Sequence, residues 1–124
     1  MNSLAIDFGT KRIGLAVAVN GIISPIAPIK NDSNLFNNIN QIIKSHQIGK
    51  IYVGICEGKF AEITQKFVEK LKNMVELEIE LVEEAVSTIE AEEIYKDNKK
   101  SKKKYKSLID SISAAVILRR VISY

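Results

Sequence analysis

The chain has a single cysteine, a single histidine, two prolines and no tryptophan among its 124 residues. A lone thiol, Cys56, cannot close an internal disulfide, so nothing calls for an oxidising compartment, and Cys56 reads as a small buried residue. No apolar run approaches the ~20 residues that a membrane-spanning helix needs. The opening residues lack the basic start, long apolar stretch and small-residue cleavage site of a secretory leader. The expectation is a soluble, cytoplasmic protein with no membrane partner. His46 falls near a helix end with no acids beside it, which suits a C-terminal cap better than catalysis. Four tyrosines and four phenylalanines are the whole aromatic set. Only Tyr105 falls within the lysine-rich segment, which makes no stacking platform, so that segment is expected to hold a polyanion backbone without reading bases.

What is present fits one domain over residues 1–124, long enough to bury a core without staples. Apolar residues make up 46% and charged residues 27%, which argues against disorder of the whole chain. The net charge of +3 is mild but uneven. Seven lysines and one acid, Asp97, lie between Lys96 and Lys106, whereas the acids collect between Glu76 and Glu93. The lysine stretch reads as a solvated connection, with Lys99, Lys100, Lys102, Lys103 and Lys104 suited to a nucleic-acid backbone.

Periodicity gives the element order. Ser3 to Phe8 and Ile13 to Val19 are short apolar runs that read as strands. Asn20-Gly21 is a strong hairpin signal, because both residues tolerate positive φ. A third strand over Ile22 to Ile29 contains Pro25 and Pro28, which remove ladder donors and point to an edge. Ser33 then reads as the N-cap of a helix carrying Leu35, Phe36, Ile39, Ile42 and Ile43. A buried strand over Lys50 to Ile55 follows, then a helix from about Lys59 to Met74. Glu78 to Val82 alternates as a strand with one wet face. Ser87 and Glu90 form a capping box for a helix to about Tyr95. Ser107 is the expected cap of a last helix reaching about Ile122. The order βββαβαβαα predicts an α/β fold: a five-stranded mixed sheet, a three-strand antiparallel meander plus two parallel strands, flanked by helices.

Three acids stand out. Asp7 is the only charge between Met1 and Thr10. It shares a strand face with Ser3, Ala5 and Gly9, small residues that leave room around a carboxylate. Burying such a charge without partners would be costly. Asp110 is the only charge on the otherwise apolar run Ser107 to Leu118, a pattern that predicts a buried helix. Alone it fits an N-terminal carboxylate on that helix as well as a metal ligand, and a second lone acid at Asp7 tips the balance. Glu83 and Glu84 end the last strand, and alternation lets only one of them face Asp7. Carboxylates from three elements could hold Mg2+ or Mn2+, which prefer hard oxygen ligands and substrate phosphate. Such ions can activate water and stabilise the leaving oxygen in phosphodiester cleavage.

The stretch Ala5-Ile6-Asp7-Phe8-Gly9-Thr10-Lys11-Arg12-Ile13-Gly14-Leu15-Ala16-Val17 resembles the opening motif of the YqgF/RuvX family. Glu83-Glu84-Ala85-Val86-Ser87-Thr88-Ile89-Glu90-Ala91 is similar to that family's acid pair and helix start. Ile109-Asp110-Ser111-Ile112-Ser113-Ala114-Ala115-Val116-Ile117-Leu118 resembles its closing Asp helix. The resemblance implies an RNase H-like fold and a divalent-metal nuclease that processes precursor 16S rRNA, with branched DNA such as a Holliday junction as the alternative substrate. A non-catalytic nucleic-acid binder is the remaining reading. The implied metal-binding and catalytic acids are Asp7, Glu84 and Asp110, with Lys11 and Arg12 beside the substrate backbone. Three positions depart from the family pattern: Glu83 replaces its Asp, Ala85 replaces its Arg, and Gly54-Ile55-Cys56-Glu57-Gly58 replaces its Gly-Leu-Pro loop. Asp7-Phe8-Gly9-Thr10 also looks like an actin-like phosphate loop, but those proteins need two lobes. A monomer or a homodimer is expected.

Overall fold

Asn20 and Gly21 sit at φ 53° and 81°, the paired positive values that let a two-residue turn follow the natural twist of its strands. They join β2 (Arg12–Val19) to β3 (Ile22–Lys30), while β1 (Asn2–Asp7) pairs antiparallel with the other edge of β2. This is a computed structural model. It describes every residue except 10, 56–58, 84–101, 123 and 124, and leaves undescribed the side chains of residues 59, 60, 83 and 102–110. The expected capping-box helix at Ser87 and the thiol of Cys56 lie outside the described residues.

After β3 the chain forms α1 (Leu35–Ser45), β4 (Ile48–Ile55), α2 (Lys59–Met74), β5 (Glu78–Glu83) and α3 (Lys102–Val121). The sheet order is β3-β2-β1-β4-β5, with β4 parallel to β1 and β5 parallel to β4. The meander, the two parallel strands and the edge position of β3 are therefore as the sequence predicts. The two prolines mark where β3 is irregular. Ile13 pairs with Ile29 but Leu15 with Ile26, so β3 carries an extra residue opposite β2 in the segment that contains Pro28.

Alternation along the strands separates two cores. Leu4 and Ile6 of β1, with Phe8 just after it, join Ile13, Leu15 and Val17 of β2 under Leu35, Ile39, Phe67, Val68 and Leu71 of α1 and α2. Each fully buried Leu or Ile side chain contributes about 1.5–3 kcal/mol. The opposite face holds Ala5, Ala16, Ala18 and Tyr52, covered by Ile112, Ala114, Ala115, Val116, Ile117 and Leu118 of α3. Alanines on both partners let that helix lie close on the sheet. An apolar helix with a single acid was expected to be buried, and residues 114–118 are.

Two helix starts differ from expectation. Ser33 does not cap α1. Instead Asp32 organises the turn: its Oδ1 accepts from Asn34 N at 2.9 Å and its carbonyl from Leu35 N at 3.1 Å. A carboxylate two residues before the amide it serves is a stronger acceptor than a serine hydroxyl. Nor does the last helix start at Ser107. Its described residues begin at Lys102, so Lys102, Lys103, Lys104 and Lys106 are helical. Lysine is a good helix former, and with the downstream helix held by the sheet each added turn costs no new nucleation. His46 does cap α1, its amide donating to Ile42 O at 3.0 Å and its Nδ1 lying 3.1 Å from the same oxygen.

Candidate active site

Three parallel strands end together. In register, Asp7 of β1 lies beside Gly54 of β4, and Gly54 beside Val82 of β5. On its other side Asp7 pairs with Gly14 of β2. The carboxylate that ends the central strand thus has a glycine on either flank, neither with a side chain to crowd it. Ala5 and Val82 belong to the core under α3, which puts the Asp7 position on the α3 face. Asp7 is half-buried there. The carboxyl ends of parallel strands, where the chain order reverses, are the usual ligand crevice of open α/β sheets.

Where β2 and β3 lose register, the Leu15 amide is taken by a side chain. Ser111 Oγ accepts from Leu15 N at 3.2 Å, and both groups are buried. Leu15 pairs with Ile6, the residue before Asp7. This bond fixes the helical turn containing residues 110 and 111 over the sheet next to the Asp7 position. The Asp110 side chain itself lies outside the described residues.

The turn after Asp7 is tight. A Cβ at Gly9 would overlap the Arg12 carbonyl oxygen, so only glycine fits. Asn31 holds the turn from the end of β3: its Nδ2 donates to Gly9 O at 2.9 Å and its backbone N to Lys11 O at 3.0 Å. Lys11 and Arg12, the basic residues of the opening motif, are exposed here, and Arg12 pairs in register with the exposed Lys30. Lys99 and Lys100 lie outside the described residues. Lys102, Lys103 and Lys104 lie on the first turn of α3, with side chains undescribed.

The other charged cluster is at the far end of the same strands. Lys50 Nζ lies 3.6 Å from Glu78, 3.9 Å from Glu80 and 4.9 Å from the centre of the Tyr52 ring. Loss of water pulls the ammonium pKa down, and Tyr52, Glu78 and Glu80 outweigh it, holding Lys50 above its ordinary value. That cluster braces β4 against β5 and is remote from Asp7.

Of the three expected metal ligands, Asp7 alone has a described side chain. Glu84 lies outside the described residues altogether. A carboxylate with open flanks is a hard donor of the kind Mg2+ and Mn2+ take, so the part of the site that is described fits the ion. Among the described residues no three acids, histidines or cysteines gather as a metal site.

Sequence reasoning missed Asn31 and Ser111. Asn31 sits at a strand end, where asparagine is ordinary. Ser111 is one of three serines near the start of an apolar helix, and nothing local marks which one reaches the sheet. The glycine flanks of Asp7 come from strands seven and forty-seven residues away.

Comparison with known proteins agrees with this architecture. A protein of Sulfurihydrogenibium sp. (strain YO3AOP1) named "Putative pre-16S rRNA nuclease" is 40% identical over 126 residues, covering 94% of this chain and 86% of that one. The fowlpox virus Holliday junction resolvase superposes with a TM-score of 0.64 at 15% identity, covering 97% of each chain. Thermus thermophilus RuvC in complex with Holliday junction substrate superposes with a TM-score of 0.56 at 9% identity, covering 94% of this chain and 89% of that one. These two likenesses concern the fold, which is RNase H-like. The RuvX family model, described as Holliday junction resolvase, matches residues 1–124, and with 40% identity to a relative over nearly its whole length the chain belongs to that family.

Proposed function

We propose that this protein is a divalent-metal-dependent nuclease that hydrolyses phosphodiester bonds in precursor 16S rRNA, with Asp7, Glu84 and Asp110 as its metal-binding acids. The observation that carries this reading is the Asp7 carboxylate at the end of the central strand, flanked by Gly14 and Gly54. Two further points support it. Asp110 directly precedes Ser111, whose hydroxyl bonds the strand residue paired beside Asp7. Val82, two residues before Glu84 in the sequence, shares the Asp7 face. The name carried by relatives supplies the substrate class.

When bound, Mg2+ or Mn2+ would supply an activated water and charge neutralisation at the leaving oxygen. The protein's own part is positional. Asp7 offers its carboxylate from a strand held on both sides. Gly9 and Asn31 set the turn that follows. Lys11 and Arg12 attract the backbone phosphates, whose neutralisation dominates affinity. Burial of α3 keeps the Asp110 turn in register with the sheet.

The test is cleavage of precursor 16S rRNA with magnesium, with manganese and with chelator. Asp7→Asn should keep the fold and RNA binding and lose metal-dependent turnover. Full activity in that variant would end the proposal. The family's description favours a second reading, cleavage of branched DNA. A four-way junction assayed beside the rRNA decides it by relative kcat/KM. Binding to either without turnover would mark a non-catalytic relative.

A further inference from the structure

Phe8 follows Asp7 and points to the opposite face of the strand, where its ring stacks on Phe67 at 4.6 Å between centroids. Phe36 of α1 stacks on Phe67 in turn at 5.8 Å. These three rings form the floor of an open pocket of about 240 Å³ between α1 and α2. Its rim holds Asn31, Ile63, Lys66 and Lys70. The volume is below the ~300 Å³ at which drug-sized ligand sites begin, so the pocket suits one small flat group. Ile63 is 46% exposed at its edge, an apolar side chain left open to solvent. Lys66 and Lys70 are exposed, stand one helical turn apart, and make no ion pair among the described residues.

Aromatic floor and paired ammonium groups together match a nucleotide: the base has an apolar face and its phosphate a negative charge. The pocket is also tied to the candidate active site. Asn31 lines it and, through the same side chain, holds Gly9 of the turn after Asp7. Phe8 and Asp7 are consecutive residues on one strand end.

We propose that this pocket takes one unpaired nucleotide of the nucleic-acid strand, with its base on the phenylalanine floor and an adjoining phosphate against Lys66 and Lys70. The proposal relies on the nuclease reading for its substrate class. It assigns to α1 and α2 a role in preferring a single-stranded segment beside the cleavage point, which the acids alone do not provide.

The test measures binding in chelator, so it does not depend on turnover. Short single-stranded RNA and a duplex of the same sequence are titrated against wild type, Lys66→Ala/Lys70→Ala and Ile63→Glu. All three positions are exposed, so these variants should fold, and circular dichroism verifies that. Each variant should bind the single strand about tenfold or more weakly, as loss of one stacked base or its phosphate would cause. The duplex should be affected little. The double lysine variant should also flatten the salt dependence by about 0.7, the value for one neutralised phosphate on a single strand. In a scan of abasic positions, one position should weaken wild type and leave Ile63→Glu unchanged. Unchanged single-strand affinity would overturn the proposal. Equal weakening for both nucleic acids would also overturn it, reducing the lysines to a general basic surface. Because binding is read in chelator and cleavage in magnesium, failure of this pocket is distinguished from failure of the metal site.

Discussion

Ser111→Ala removes one oxygen from the interior and leaves the Leu15 amide without its acceptor. Ser111 is fully buried and the bond it accepts is 3.2 Å long, so no water stands ready to replace it. A buried donor deprived of its partner costs about 1–3 kcal/mol. Alanine returns roughly 0.5 kcal/mol through better helix propensity. The net loss expected is about 0.5–2.5 kcal/mol. At roughly 4 °C per kcal/mol for a chain of this size, Tm should fall by about 2–10 °C. Urea titration should show a lower midpoint with an unchanged slope, because the surface exposed on unfolding is nearly the same. Amide exchange should show Leu15 losing protection more than its strand neighbours. Ser113, half-exposed two residues on, is the control, and its alanine variant should be neutral or slightly stabilising. A Ser111→Ala protein as stable as wild type, with Leu15 still protected, would refute this account of how α3 is anchored.

Two further substitutions test the backbone around the site and the fold. Gly9→Ala drives a methyl into the Arg12 carbonyl oxygen, so the turn must shift. It should cost about 1–3 kcal/mol in a thermal melt and depress turnover, and an unchanged melt would contradict the close approach. Gln47 ends α1 at φ 52°, a left-handed conformation that glycine adopts without strain. Gln47→Gly should therefore raise stability by about 0.5–1 kcal/mol in denaturant, and a loss would show that the side chain contributes more than the strain it bears.

The strands, the hairpin and α2 were legible because their signals are local. Asn20-Gly21 announces its turn by φ preference, the prolines place β3 at the edge, and an apolar period sets each helix. Asp7 and Asp110 stand out in the sequence for a related reason, since a single charge on an apolar element has an energetic cost that invites a reason. Helix starts were less so. Ser33 and Ser107 are good caps by residue type, yet Asp32 offers a stronger acceptor before α1, and packing downstream lets α3 extend back to Lys102.

The rest required the fold. Gly14 and Gly54 flank Asp7 only because antiparallel and parallel ladders bring them there. Ser111 reaches Leu15 across 96 residues of sequence, through a break in ladder register that no local preference encodes. Phe8, Phe36 and Phe67 are scattered along the chain, and the lysines that accompany them are on another helix from Phe36. Local sequence decides what each segment becomes, because backbone preference and apolar period act over a few residues. Which side chains share a crevice is decided by strand order and register, which belong to the chain as a whole.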